Sequence, residues 1–413
     1  MGIGLGRTEI RTARRTLLGV SLTANLGLLG LFKYFDFFAA ELAELLALVG
    51  IGASPLTLGL VLPVGISFYT FQTLSYTIDV YRRKLEPTRD LVAFFAYVSF
   101  FPQLVAGPIE RAAHLLPQFG RRRAFDEAAA VDGMRQILWG LFKKVAVADT
   151  CGVIVDSIFD GYAGYSSTTL WLGGFFFAIQ IYGDLSGYSD VAIGTARLFG
   201  FDLMRNFAYP YFSRDIAEFW RRWHISLSTW FRDYLYIPLG GSRTDRGRAL
   251  RNVLIVFVVS GFWHGANWTF IVWGALNGLY FLPLFLSSRN RLHLDLVADG
   301  RLLPSYREAA QVGGTFLITI LAWIFFRAPS IGVAVDYLGR MPTADPFGPL
   351  RVSVNALLLS MGMLAVEWVQ RSRAHGLEVA HWHPWARRTA YLVLIALVVR
   401  FSDVQREFIY FQF

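Results

Sequence analysis

The feature that most constrains this chain is its division into predominantly apolar blocks about one bilayer thickness long. Such blocks run over residues 16–32, 56–80, 91–107, 133–160, 168–199, 250–286, 311–328, 352–370 and 389–401. A helix needs roughly 20 apolar residues to cross the hydrocarbon of a membrane. Hydrophobic residues make up 54% of the chain and charged residues 17%, whereas an ordinary soluble domain carries about 25% charge. One large water-soluble core would not need its apolar residues in separate blocks of this length. The expectation is an all-α polytopic membrane protein with one membrane domain over residues 1–413, since no polar linker divides the chain. The longest blocks have room for two spans each.

Charge and aromatic content refine this picture. The formal charge of +9 sits in short clusters, among them Arg82-Arg83-Lys84, Arg121-Arg122-Arg123 and the arginines between Arg243 and Arg251. Clusters of that kind suit cytoplasmic loops beside anionic membrane lipid, and the hydropathy argues against nucleic acid as the partner. The 12 Trp and 18 Tyr exceed what lipid-facing helices require, and such rings favour interfaces or internal cavities. Cys151 stands alone, which excludes an internal disulfide and a thiolate metal cluster. Residues 1–24 are basic, with Arg7, Arg11, Arg14 and Arg15 ahead of the run Thr16 to Phe32. Without a small-residue cleavage site after it, that run reads as a retained anchor.

Two segments do not read as simple spans. In FFPQLVAGPIERAAHLLPQF, residues 100–119, Pro102, Gly107, Pro108 and Pro117 should interrupt a helix and leave backbone groups that lipid cannot satisfy. A re-entrant or protein-lined turn is expected there. Between Tyr211 and Gly241, charges alternate with Trp220, Trp223 and Trp230 too densely for a lipid crossing. An amphipathic helix at the interface, or lining a cavity, is the economical reading.

Ionisable residues at membrane depth cost about 2.5–3.5 kcal/mol each on insertion scales, so each invites a functional hypothesis. Asp79, Asp184, Asp190, His224 and His264 are the candidates. His264 lies in a stretch with no formal charge between Arg251 and Arg289. Burial there would keep the imidazole neutral near pH 7, with one ring nitrogen free as a base. Gly261 and Gly265 leave room for a substrate or a second backbone beside it. Residue physics alone leaves open whether His264 is catalytic or only a packing residue. His224, 40 positions earlier, is either a second group facing the same cavity or an interfacial side chain. Asp184 and Asp190 lie in IYGDLSGYSDVAIG, residues 181–194, where Gly183, Gly187 and Gly194 permit tight helix packing. Those carboxylates have local hydroxyls or neighbouring cations as alternative employment. Phosphate loops of the Walker type, GxSxG elbows and HExxH metal pairs do not occur in the sequence.

The segments RRWHISLSTWFRDYLYIPLGGSR (221–243) and GFWHGANWTFIVWGALNG (261–278) resemble the paired signatures of the membrane-bound O-acyltransferase family, in particular its bacterial alginate O-acetylation branch. LPVGISFYTFQTLSYTIDVYR (63–82), FFPQLVAGPIER (100–111), YGDLSGYSDVAIG (182–194) and the terminal FIYFQF (408–413) agree with it. The resemblance runs from about Asn25 to the C-terminus. It implies a ring of helices, with re-entrant and interfacial helices, around a central reaction chamber. It also implies His264 as the principal catalytic residue, with His224 beside it. Asp184, Tyr188, Trp220, Trp263 and Asn267 become candidate substrate-binding residues. The implied donor is acetyl-coenzyme A or another acyl thioester, with no metal. The implied setting is the bacterial cytoplasmic membrane, where periplasmic acetyltransferase-type partner proteins would serve an exported polysaccharide. Relatives of this kind begin with further hydrophobic helices ahead of the segment matching Asn25, so the resemblance implies upstream helices that residues 1–24 do not supply. Two other readings stay open, a transporter using Asp79, Asp184 and Asp190 as relay groups and a non-catalytic scaffold of an export complex.

Overall fold

Side-chain caps at Asp126, Ser166, Asp245, Asn267 and Ser305 start five of the helices by accepting from backbone N–H groups that helical bonding leaves over. The computed structural model describes residues 1–404, 406, 408 and 409, and among these there is no strand. The chain opens with α1 (Gly2–Arg7) and then α2 (Arg11–Leu29), which runs through a five-residue π segment, Gly30–Tyr34, into α3 (Phe35–Leu48). There follow α4 (Ile66–Tyr81), α5 (Leu91–Val98) and α6 (Ala112–Phe119). α7 (Glu127–Leu141) continues through a second π segment, Phe142–Ala148, into α8 (Asp149–Asp160). Next come α9 (Ser167–Leu198), α10 (Ile216–Arg222) and α11 (Ile225–Phe231), the last ending in a third π segment, Arg232–Tyr236. α12 (Arg246–His264), α13 (Trp268–Leu286), α14 (Tyr306–Arg327), α15 (Ile331–Thr343), α16 (Val354–Val369) and α17 (Pro384–Phe401) complete the chain.

The stretch Arg11–Leu48, α13 and α14 are long and apolar enough to cross a membrane. Their outer faces and those of α16 and α17 leave Leu26, Leu42, Leu45, Leu358, Met361, Leu392 and Val399 exposed. Exposed apolar side chains in such numbers need lipid rather than water around them. α9 is the opposite case. Its 32 residues are buried along most of their length, so its polar side chains face protein. α7 lies against it through glycines spaced seven residues apart. A Cβ on Gly133 would come within 2.7 Å of the Gly194 carbonyl oxygen, and one on Gly140 within 2.5 Å of that of Gly187. The two backbones therefore touch, as small residues allow inside membranes.

The structure departs from the sequence reading in several places. The block 56–80 is helical only from Ile66, because Pro55, Pro63 and two glycines with positive φ, Gly59 and Gly65, break its first half. In the block 91–107, α5 ends at Val98 and turns follow. Gln103, Ala106, Ile109 and Glu110 are buried within protein there, so the protein-lined turn expected on the strength of Pro102, Gly107 and Pro108 is present. Pro117 does not interrupt the chain as expected. It sits inside α6, where the helix ends two residues later and loses only one hydrogen bond to it. The segment 211–241 is not one amphipathic surface helix. It is broken at Trp223-His224, and Phe219, Trp223, Leu227, Trp230 and Phe231 are core residues. The block 250–286 is two helices, α12 and α13, parted at Gly265-Ala266-Asn267. Of the terminal FIYFQF, Phe408 and Ile409 are buried, and residues 410–413 lie outside the described residues.

Candidate active site

His264 is the last residue of α12 and is 4% exposed. Its ring lies edge-on to three aromatic neighbours, Trp263 at 5.0 Å, Trp273 at 5.2 Å and Phe326 at 5.3 Å between ring centres. The bulkless glycines around it make room for Phe270 of α13 rather than for a substrate. A Cβ on Gly261 would stand 2.2 Å from the Phe270 carbonyl oxygen, and one on Gly265 would strike the Phe270 ring. α12 and α13 thus form a closed hairpin that fixes where the imidazole points.

The end of α12 is held by a residue the sequence reading passed over. Lys33, in the first π segment, donates from Nζ to the carbonyl oxygens of Trp263 at 2.8 Å and His264 at 3.0 Å. Its neighbour Tyr34 donates to the Phe262 carbonyl at 3.1 Å. A cation on the last carbonyls of a helix satisfies acceptors that lack intrahelical donors and opposes the negative end of the helix dipole. A lysine in an apolar span was the available signal, but its partners are more than 200 residues away in the chain.

His224 reaches the same cluster from the other side. It is 2% exposed, and its ring centre lies 6.3 Å from that of Trp263 and 5.9 Å from that of Phe207. Its backbone is left-handed, with φ 43° and ψ 55°, a conformation uncommon outside glycine. Asn206 holds the turn in place. Its carbonyl accepts from the Ile225 N–H at 2.8 Å, its Oδ1 accepts from Ser226 Oγ at 2.9 Å, and its amide donates to Ser189 of α9 at 3.1 Å. An ionic clamp of Arg214, Glu218 and Arg222 fixes the preceding helix and reaches Asp295 in the loop after α13. The Arg214 guanidinium holds the Asp295 carboxyl below its usual range.

The other sequence candidates divide into two groups. Trp263 lies between the two histidines, and Trp220 of α10 packs on Trp273 at 5.8 Å and on Phe257 at 5.4 Å. Both belong to the aromatic cluster. Asn267 caps α13, accepting from Thr269 N–H at 2.9 Å and donating to the Pro329 carbonyl at 3.1 Å. Asp184 and Tyr188 lie on α9 instead. Asp184 pairs with Lys144 at 2.8 Å and accepts from the Ile409 N–H at 2.8 Å, while Tyr188 packs on Phe408. The carboxylates considered as relay groups are likewise engaged. Asp190 pairs with Lys143 at 2.6 Å, and Asp79 accepts from Tyr234 Oη at 2.7 Å. Among the described residues no group of acidic, histidine or cysteine side chains is arranged to hold a metal ion.

A cavity of about 1020 Å³ opens beside this cluster, walled by apolar side chains that include Leu74, Phe71, Trp230, Tyr34, Phe262 and Trp263. Phe71 stacks on Trp230 at 3.9 Å and on Trp263 at 5.3 Å. The cavity wall therefore includes the indole that also neighbours both imidazoles. Neither histidine lines the cavity itself.

Comparison with known proteins gives this geometry its context. The model of the membrane-bound O-acyltransferase family matches residues 87–305, which include both histidines and Trp263. The chain is 41% identical over 347 residues to a probable alginate O-acetylase AlgI of Pseudomonas putida, covering 83% of this chain and 68% of that protein. It is 40% identical to the corresponding protein of Pseudomonas aeruginosa, over 81% of this chain and 62% of that one. It is 31% identical to a peptidoglycan O-acetyltransferase of Helicobacter pylori, over 100% of this chain and 85% of that one. The chain thus spans about two thirds of the length of the alginate O-acetylases it matches. The all-helical fold, the apolar outer faces and these matches agree, and the chain belongs to the membrane-bound O-acyltransferase family, a multi-pass membrane protein of the acyltransferase class.

Proposed function

We propose that this protein moves an acyl group, acetyl in the simplest case, from a thioester donor such as acetyl-coenzyme A to a hydroxyl of an exported polysaccharide. The convergence of His264 and His224 on Trp263 carries the reading. Relatives named for alginate and for peptidoglycan make an exported glycan the acceptor class. The bacterial cytoplasmic membrane as the site, and periplasmic acetyltransferase-type proteins as partners, belong to the same proposal.

In this mechanism the neutral imidazole of His264 takes the proton of the acceptor hydroxyl as its oxygen attacks the thioester carbonyl. The carbon–sulfur bond then breaks, and the proton held on the imidazole leaves with the thiolate as free thiol. His224 positions a reactant or stabilises charge in the tetrahedral intermediate. Lys33 acts as a positioning residue, because its amine anchors the carbonyls at the end of α12. An acyl chain lodged in the apolar cavity would end one indole away from the imidazole.

The test is acyl transfer by purified protein from labelled acetyl-coenzyme A, comparing the intact chain with His264→Ala. Loss of general-base help predicts a fall of about 10²- to 10⁴-fold with normal insertion and expression. Retained activity would remove His264 from the mechanism. Polysaccharide acetylation in cells that survives both His264→Ala and His224→Ala, yet needs the protein, would favour the scaffold reading.

A further inference from the structure

A second cavity, of about 940 Å³, lies away from the histidine cluster, between α6, the loop 120–126 and the C-terminal end of α9. Arg121, Arg122, Arg123 and Arg197 line it. Arg197 is committed to Asp132 through a short ion pair. The Arg123 guanidinium stacks 3.8 Å above the Phe201 ring, which packs in turn on Phe119 and Phe100. Of the acids in the cleft, Asp126 is used in capping α7 and Asp202 faces His114 at 3.4 Å. Among the described residues no carboxylate pairs with Arg121 or Arg122, and both are exposed.

The rim of this cleft is aromatic. Phe125 is 80% exposed and Phe199 53%, and Phe199 meets the ring of Phe101, itself 60% exposed, at 5.8 Å. Large apolar rings left open beside unpaired guanidinium groups match a ligand with an anionic head and a hydrocarbon body. A soluble phosphate would engage the arginines and leave three phenyl rings in water. A phospholipid uses both features, and arginine forks suit the oxygens of its phosphate. We propose that this cleft is a binding site for the phosphate headgroup of an anionic phospholipid, with Arg121 and Arg122 as its ligands and Phe125, Phe199 and Phe101 against its acyl chains.

The experiment is native mass spectrometry of the full chain released from nanodiscs of phosphatidylglycerol or of phosphatidylcholine. Wild type is compared with Arg121→Gln/Arg122→Gln and with Phe125→Ser/Phe199→Ser, and Arg248→Gln serves as a control at an exposed arginine that does not line the cleft. Intact protein should retain phosphatidylglycerol in preference to phosphatidylcholine. The double arginine variant should bind it roughly 30-fold more weakly, the effect of removing two charges from a lipid surface site. The double phenylalanine variant should also lose the lipid, while Arg248→Gln keeps it. Equal retention by wild type and the arginine variant would overturn the proposal. So would binding of free glycerol phosphate or inorganic phosphate as tight as that of the lipid, or a phenylalanine variant that binds the lipid normally.

Discussion

A histidine at φ 43° is held in a conformation that its own side chain does not favour, and such strain, about 1–3 kcal/mol, persists where the surroundings enforce it. Here they do so through Asn206. Two outcomes follow for position 224. His224→Ala should lower acyl transfer by less than His264→Ala, measured with the same labelled donor, because in the proposed mechanism it removes a positioning group and not the base. Asn206→Leu should damage the site without touching either imidazole, by freeing the turn that aims His224; transfer at the wild-type rate would show that the turn holds itself. At this scale the sequence was informative about identity and silent about company. His224 and His264 were visible as expensive residues in apolar surroundings. Lys33 was visible on the same ground but gave no hint of the carbonyls it would meet. Asp184 and Asp190 drew attention for their cost, and their pairing with Lys144 and Lys143 supplies the compensation.

Helices of this protein were legible where apolar residues run on without a break, whether against lipid or against protein: the block 168–199 falls on the buried α9. α14 and α16 also stood out as apolar runs, whereas α13 was merged with α12 in the block 250–286. α15 was missed because a short amphipathic helix, burying Ala334, Tyr337 and Met341 on one face, carries no long apolar signature. The break inside residues 211–241 was hidden for a related reason. Aromatic residues alternating with arginines look interfacial, yet here the rings enter the core while the arginines are tied to Glu218 and to backbone carbonyls. The glycine seam between α7 and α9 makes a sharp prediction. Gly140→Leu would drive a side chain into the Gly187 carbonyl, and overpacking of this kind costs about 1–3 kcal/mol or more. Thermal unfolding in detergent should show a lower midpoint than Gly164→Leu, a site with open space around it. A further prediction concerns α6. His114 bonds Glu110 at 2.7 Å, which raises its pKa. A raised value means the bond stabilises the fold fully below the unfolded pKa, about 6.5, and is lost as pH climbs through the folded value. His114→Gln should therefore flatten the dependence of the unfolding temperature on pH over that window, and an unchanged profile would count against it.

Taken whole, the molecule has two helix pairs closed by glycine contacts, and buried cations tie other elements together. α12 and α13 share one seam, α7 and α9 another, and Lys33 ties the first apolar stretch, Arg11–Leu48, to the hairpin that bears His264. Lys33→Met should leave the spans inserted but lower stability by about 1.5–3 kcal/mol, the worth of hydrogen bonds from a charged group. Acyl transfer should fall with it, because the end of α12 loses its anchor; a variant with reduced stability and full activity would separate the two roles. That anchor also has a history in time. Lys33 leaves the ribosome some 230 residues ahead of its acceptors at positions 263 and 264. At about 5–20 residues per second, its amine waits roughly 10–50 s for its native partners. Throughout that wait the stretch Arg11–Leu48 carries a lysine without its native acceptors, so the contact that joins the start of the chain to its middle can form only after α12 has been made.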